Sequence, residues 1–388
     1  MEQASKHLAL FLSGLSGGGA QRRMLILARG FAARGHRVDV VVPRAEGAFR
    51  SQLPTSVRLV VLESSWGRLP GIRGRRGLWV LAATRPLAGY LARERPQAVL
   101  STSNPANLAS LWAQRLAQAG TRAVVSVNVQ LSAATGERQR AWGPVLRALA
   151  RHTYRRADVI VANSQGVAAD LAQLLAPPRP PIVTIYNPLP VAEIQNHARA
   201  SLEHPWLAPA EPPLLLGVGK LKLQKDFPTL IRAFARVLAV RPARLVILGE
   251  GEERARLEKL ARELGVAGDL ALPGFVENPW AWMARASVFV LSSAWEGFSN
   301  VLAEALACGC PVVSTDCPSG PAEILEHGRY GPLVPVGDDR ALADAILATL
   351  EKPPDPGALR ARASIFSVDT AVDRYLEVLV GTRAAARG

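Results

Sequence analysis

Two glutamates and a pair of lysines carry the chemistry most visible in this 388-residue sequence. Glu296 and Glu304 bracket the stretch Glu296-Gly-Phe-Ser-Asn-Val-Leu-Ala-Glu304, directly after the apolar run VFVLSS. That run reads as a buried strand, and the residues after it read as a loop entering a helix. Gly297 lets the backbone approach a ligand closely. The amides of Phe298, Ser299, Asn300 and Val301 then fall at a helix N-terminus, where free N–H groups and the dipole bind phosphate. Glu304, on the first turns, can accept from two hydroxyls of a ribose. Either glutamate alone reads as a solvated or capping carboxylate; together they point to a nucleotide site.

The second constellation is Gly217-Val-Gly219-Lys220-Leu-Lys222-Leu-Gln-Lys225-Asp-Phe-Pro. A strand end, a glycine turn and two lysines five apart precede a helix, and lysine is a compact charge suited to a diphosphate. Lys220 and Lys225 take that role, while Lys222 reads as part of a solvated basic loop. A third feature, Gly17-Gly18-Gly19, occupies the first strand-to-helix turn. It is explained equally by a tight turn and by backbone N–H groups offered to a phosphate.

The elements that position these residues alternate. HLALFLSG is a buried strand, the apolar face Met24, Leu27, Ala28, Phe31 belongs to a helix ended by Gly35, and RVDVVVP is the next strand. QAVLSTS, RAVVSVNV, DVIVANS and PIVTIYN continue the pattern, with helical stretches between them. After proline clusters, LLLGVG, RLVILGEG, LALPGF, VFVLSS and PVVSTD repeat it. The expected fold class is α/β, with two Rossmann-like doubly wound domains facing each other across a cleft and ligands at the carboxyl ends of the strands. The expected domains are 1–187, 188–370 and a C-terminal helix in 371–388 that packs back on the N-terminal domain, with a linker near Pro188–Pro213.

Composition narrows the classes. The chain is 49% apolar and 20% charged, which is globular rather than disordered. Cys308, Cys310 and Cys317 lack zinc-site spacing and read as small apolar fillers. No run reaches the length of a membrane span, and the first residues lack a cleavage-site signature. The net charge of +14 is uneven: Met1–Ile185 holds 25 of the 46 basic residues but 8 of the 32 acidic ones. Such asymmetry suggests a polyanionic partner. Nucleic-acid modules carry aromatic-basic motifs absent here, so nucleic acid is not expected. Arg68, Arg73, Arg75 and Arg76 flank Trp66, Leu69, Leu78 and Trp79, with a second cluster at Arg147, Arg151, Arg155 and Arg156. This mixture suits an anionic membrane surface as well as it suits a solvated basic face. The expected location is cytoplasmic, peripheral on the inner face of the cytoplasmic membrane.

With these residues in view, the chain resembles the retaining GT-B glycosyltransferases of glycosyltransferase family 4. The likeness runs through GGGAQRR, GHRVDVVV, NSQGVAADL, VGKLKLQKDFPTLIRAF, LGEGEE, the segment LPGFVENPWAWMARASVFVLSSAWEGFSNVLAEALACGCPVVSTD, and GPLVPVGD. The resemblance implies that Glu296 contacts the donor sugar and Glu304 the ribose. By the same likeness Lys220 and Lys225 hold the diphosphate, Gly274, Phe275 and Val276 lie near the base, and Gly18, Gly19, Gly219 and Gly249 line the donor site. STDCPSGPAEIL resembles enzymes that build glycans on polyprenyl diphosphate from UDP-hexoses or UDP-N-acetylhexosamines. The implied partners are therefore a nucleotide-sugar donor and a lipid-linked or glycan acceptor.

One departure matters. Many family members have a histidine near the acceptor where this chain has Asn128, so no histidine base is expected. His36, His152 and His327 read as structural. The leaving phosphate would take the acceptor's proton, with Glu296, Lys225 and Lys220 as the catalytic set. No Asp-x-Asp occurs, so neither a metal nor another cofactor is expected. The alternatives are a non-catalytic nucleotide-sugar or polyanion-binding protein and a UDP-sugar epimerase on the same fold.

Overall fold

Strands buried on both faces need near-continuous apolar runs, and the chain supplies them in two series. The computed structural model describes residues 5–16, 18–62, 80–131, 148–208 and 211–381. The chain divides into two units: Met1–Pro188 with Val368–Gly388, and Leu189–Ser367.

In the first unit the strands are β1 (His7–Phe11), β2 (Arg37–Val42), β3 (Val57–Val61), β4 (Ala98–Thr102), β5 (Arg122–Val127), β6 (Val159–Ala162) and β7 (Ile182–Thr184). They form one parallel sheet in the order β3-β2-β1-β4-β5-β6-β7. Helices α1 (Gly19–Ala33), α2 (Thr84–Glu94), α3 (Asn104–Ala117) and α4 (Gln165–Leu175) run between them. Gly35 follows α1 with φ +81°, the left-handed C′ position that glycine fills without strain.

The second unit begins with α5 (Val191–Ala198), inside the stretch that the sequence reading gives to a linker. Its Ile194 is fully buried, so this segment is part of the unit's packing. The parallel sheet has the order β10-β9-β8-β11-β12-β13. Its strands are β8 (Leu214–Val218), β9 (Arg244–Leu248), β10 (Leu270–Gly274), β11 (Val288–Leu291), β12 (Val312–Thr315) and β13 (Leu333–Val334). The helices are α6 (Phe227–Leu238), α7 (Arg254–Glu263), α8 (Pro279–Met283), α9 (Asn300–Cys308), α10 (Pro321–Ile324), α11 (Asp339–Glu351) and α12 (Pro356–Ser364).

The last helix, α13 (Val368–Val380), returns to the first unit. Its Val372, Tyr375, Leu376 and Leu379 join Met24, Leu27 and Phe31 of α1 in one apolar core. Gly30 permits the contact, because a Cβ there would stand 2.4 Å from a Val372 methyl group. In each sheet the strand order reverses, at β1/β4 and at β8/β11, which is where such sheets bind ligands. β3 and β13 are the two strands not anticipated. VRLVV is short and only partly buried, and Leu333–Val334 is a two-residue strand with no periodicity to read. No helix among the described residues is long and apolar enough to cross a membrane.

Candidate functional site

The second unit gathers most of the expected residues at the carboxyl ends of β8 to β11. The loops there interlock through glycines. The Gly219 amide donates to Leu248 O at 2.9 Å, and the Gly249 amide donates to Gly274 O at 2.8 Å. Gly249 has φ +144°, and a Cβ on it would fall 2.0 Å from Gly219 O. The sequence showed glycines; their mutual contact is a tertiary fact.

Lys225 ends a short 3₁₀ turn, Leu223–Lys225, after β8. Its Nζ donates to Glu296 Oε1 at 2.6 Å, and both side chains are largely buried. Ser293 Oγ donates to the same oxygen at 2.8 Å, and Gln224 Nε2 reaches Oε2 at 3.5 Å and Trp295 O at 2.7 Å. The Ala294 amide donates to Gln224 O and Ser292 Oγ to Lys225 O, both at 2.8 Å, so the two loops are stitched together. Ser319 Oγ donates to Glu296 O at 2.9 Å, beside Gly320, where a Cβ would stand 2.9 Å from Gly297 O. Ser293, Gln224 and Ser319 went unread in the sequence. Their roles depend on partners in space, and the only signal was the polar run around Glu296.

Gly297 and Phe298 lead into α9. Ser299 is its N-cap but makes no capping bond, and its Oγ is buried without a hydrogen-bond partner. The first turn, with Asn300 and Val301, holds no acidic residue. A helix end with an uncompensated dipole and an orphaned hydroxyl fits an anion. Glu304 lies half-buried on α9, and its Oε2 accepts from Trp280 Nε1 at 3.1 Å. Phe275, after Gly274 (φ +94°), is 76% exposed, a large apolar ring open to solvent, and Val276 is half-buried.

The lysines differ from one another in their surroundings. Lys220 is exposed and lies 3.6 Å from the equally exposed Glu252. Lys222, expected to be solvated, is half-buried; burial first and the neighbouring Lys225 second push its pKa down. It follows the buried Leu221, which holds this loop against the unit's core.

Gly18, Gly19 and Asn128 belong to the other unit. Gly18 (φ +119°) is the N-cap of α1, and Gly19 opens the helix. Asn128 follows β5 and donates through Nδ2 to Thr102 Oγ1 at 2.9 Å. Gly17, the whole of the first basic cluster and Arg147 lie outside the described residues. Of the rest, Arg155 donates to Leu175 O at the end of α4, a structural use of its charge. The three cysteines are free and buried, and burial pushes Cys308 and Cys317 up to about 12 and Cys310 upward as well. His36 Nδ1 accepts from the Lys6 amide, and burial lowers its pKa. Among the described residues, no group of three His, Cys, Asp or Glu could hold a metal ion.

Two doubly wound parallel sheets, each with a ligand-type strand edge, define the GT-B architecture. Anabaena HepE, solved in complex with UDP, matches with a TM-score of 0.75 and 22% identity over 96% of this chain and all of that one. A lipopolysaccharide outer core galactosyltransferase, WaaB, matches at 0.71 with 18% identity over 96% and 99%. Two family models cover most of the sequence: "Glycosyltransferase Family 4" over residues 17–193 and "Glycosyl transferases group 1" over residues 199–365. The chain belongs to glycosyltransferase family 4.

Among curated relatives, N-acetylgalactosamine-N,N'-diacetylbacillosaminyl-diphospho-undecaprenol 4-alpha-N-acetylgalactosaminyltransferase of Campylobacter jejuni is 36% identical over 198 residues. That is 51% of this chain and 52% of the relative. The lipopolysaccharide core biosynthesis glycosyltransferase LpsE of Rhizobium meliloti is 34% identical over 58% of this chain and 65% of the relative. The chain thus spans between half and two thirds of the length of these relatives.

Proposed function

We propose that this chain is a retaining glycosyltransferase. It moves a hexose or N-acetylhexosamine from a UDP-sugar to a glycan acceptor carried on polyprenyl diphosphate, in bacterial glycan synthesis and without a metal. The observation that carries the reading is the convergence, in one unit, of the Lys225–Glu296 pair, the uncapped start of α9 and Glu304. The Anabaena neighbours bound to UDP and to UDP-glucose support the donor class. The Campylobacter relative, named for a diphospho-undecaprenol acceptor, supports the acceptor class.

In this reaction the bond between the sugar's C1 and the phosphate oxygen breaks. A bond from C1 to the acceptor oxygen forms on the same face, and the acceptor's proton passes to the leaving phosphate. The chain supplies position and charge. The α9 amides and Ser299 Oγ face the diphosphate. Lys225 shares its ammonium between Glu296 and the leaving phosphate as negative charge develops there, and Glu296 contacts the donor sugar. Glu304, steadied by the Trp280 indole, takes the ribose hydroxyls.

The test is a calorimetric titration of UDP, with GDP, ADP and NAD as comparators, into the native protein and Glu304→Ala. Preferential UDP binding, weakened about tenfold or more by loss of a charged hydrogen-bonding partner, is the expected result. If neither protein binds a nucleotide, the reading fails.

A further inference from the structure

The first unit holds a second polar constellation, at the carboxyl ends of β4 to β7, to which the expected acceptor residue Asn128 contributes one member. Arg23 lies in the second turn of α1 and is only 3% exposed. Its guanidinium donates to Asn187 Oδ1 at 3.0 Å, to Thr102 Oγ1 at 3.0 Å and to Ser126 Oγ at 2.9 Å. All three acceptors are neutral. An arginine keeps its charge wherever it lies, and a buried charge is ordinarily paired with an opposite one. Arg23 forms no ion pair among the described residues, and its Nε is buried without a partner.

The surrounding atoms share that condition. Asn128 Oδ1, Asn163 Oδ1 and Ser103 Oγ are all buried and unpartnered. Folded proteins leave few such groups, so four around one strand edge need a reason. Ser103 also has φ +77°, a strained conformation for a residue with a Cβ, and it precedes the 14-residue helix α3 without capping it. Thr102 ends β4, Ser126 is the penultimate residue of β5, and Asn128, Asn163 and Asn187 follow β5, β6 and β7. This is the edge of the sheet, beside the β1/β4 reversal, where ligands bind. Water can satisfy neutral oxygens, but it carries no charge to offset a guanidinium.

We propose that these residues form a binding site for a phosphorylated carbohydrate. Arg23 anchors its phosphate or diphosphate, and the oxygens of Asn128, Asn163 and Ser103 accept from its hydroxyls. Identifying that ligand with the acceptor rests on the function proposed above; the site itself rests on Arg23 and its neighbours alone.

The test titrates inorganic pyrophosphate by calorimetry into the full chain carrying K220M and K225M, which removes the lysines of the second unit's site. The same protein with R23M added is titrated alongside. Saturable binding to the first, weakened about tenfold or more in the second, is expected for the loss of a charge-assisted pair. R23K should recover only part of the affinity, because a point ammonium cannot reproduce the planar fork. Equal binding by both proteins, or binding by neither, overturns the proposal. Should R23M fail to fold, R23K decides, and an unchanged affinity there overturns it. Geranyl diphosphate in a parallel titration separates the sources of the anion. Tighter binding than pyrophosphate marks a lipid-linked headgroup, equal binding marks a free diphosphate, and both support the site. None of these titrations reports on UDP binding by Glu304, so failure here and failure of the donor reading are distinguishable.

Discussion

Lys225 and Glu296 form a pair whose two halves are worth more together than apart. Removing one partner of a buried pair leaves the other charge uncompensated, at about 3 kcal/mol or more. Lys225→Ala should therefore lower the melting temperature and, because the proposed function assigns this charge to the leaving phosphate, lower kcat about a hundredfold. A turnover assay with UDP-sugars checks this, and wild-type turnover in the variant would exclude the role. Asp39 is a different kind of buried carboxylate. It sits in mid-strand in β2, where Arg58 and Tyr90 donate to it and His7 lies 2.8 Å away. Burial alone would raise its pKa, but the bonds from His7, Arg58 and Tyr90 together hold it well below the usual carboxylate range. A group depressed on folding contributes stability above its unfolded pKa, near 3.8, and loses it as pH falls toward the folded value. Asp39→Asn should thus be less stable than wild type at pH 7, with the gap in urea midpoint closing below about pH 4. A gap independent of pH would contradict the assignment.

At the scale of elements, α9 begins without a side-chain cap of its own, and the proposed function gives that helix start to the donor's diphosphate. An N-cap serine ordinarily contributes about 1 kcal/mol through its side chain. Ser299 makes no such bond. Ser299→Ala is expected to leave the melting temperature within about 1 °C of wild type, since no cap bond is lost, yet to weaken UDP binding. A stability loss with unchanged UDP affinity would make Ser299 an ordinary cap. The legibility of this region divides in the same way. Glu296 to Glu304 could be read because loop, glycine, helix start and carboxylate are contiguous. The bond from Lys225 to Glu296 spans 71 residues, and no spacing rule connects them. Trp280, which holds Glu304, reads in the sequence as one apolar residue among others in NPWAWM. Likewise Arg23 reads as one of two adjacent arginines; only the sheet edge around it shows that its charge is buried and meets no opposite charge among the described residues.

For the molecule as a whole, α13 ties the two ends of the chain into the first unit's core. Fully burying a large apolar side chain contributes roughly 1.5–3 kcal/mol, so Val372, Tyr375, Leu376 and Leu379 together supply on the order of 6–12 kcal/mol. That is comparable with the total stability of an ordinary domain, about 5–15 kcal/mol. Truncation after Ser367 should abolish cooperative unfolding of the first unit while the second retains its own transition. Calorimetric scans of the two chains would show this, and two intact transitions in the truncated chain would sink it.

The sequence by itself determined the alternation of strand and helix, the doubling of the Rossmann-like plan and the constellation from Glu296 to Glu304. These are local patterns, set by burial of apolar runs and by the chemistry of one loop and the helix after it. Tertiary structure alone decided which distant groups share a charge, as with Lys225 and Glu296. It also decided that Lys222 is half-buried while Lys220 is exposed, that α5 packs within the second unit, and that Arg23 meets only neutral oxygens among the described residues. The reason is physical. A side chain's burial and partners depend on segments tens of residues away, and the sequence records their composition but not their approach.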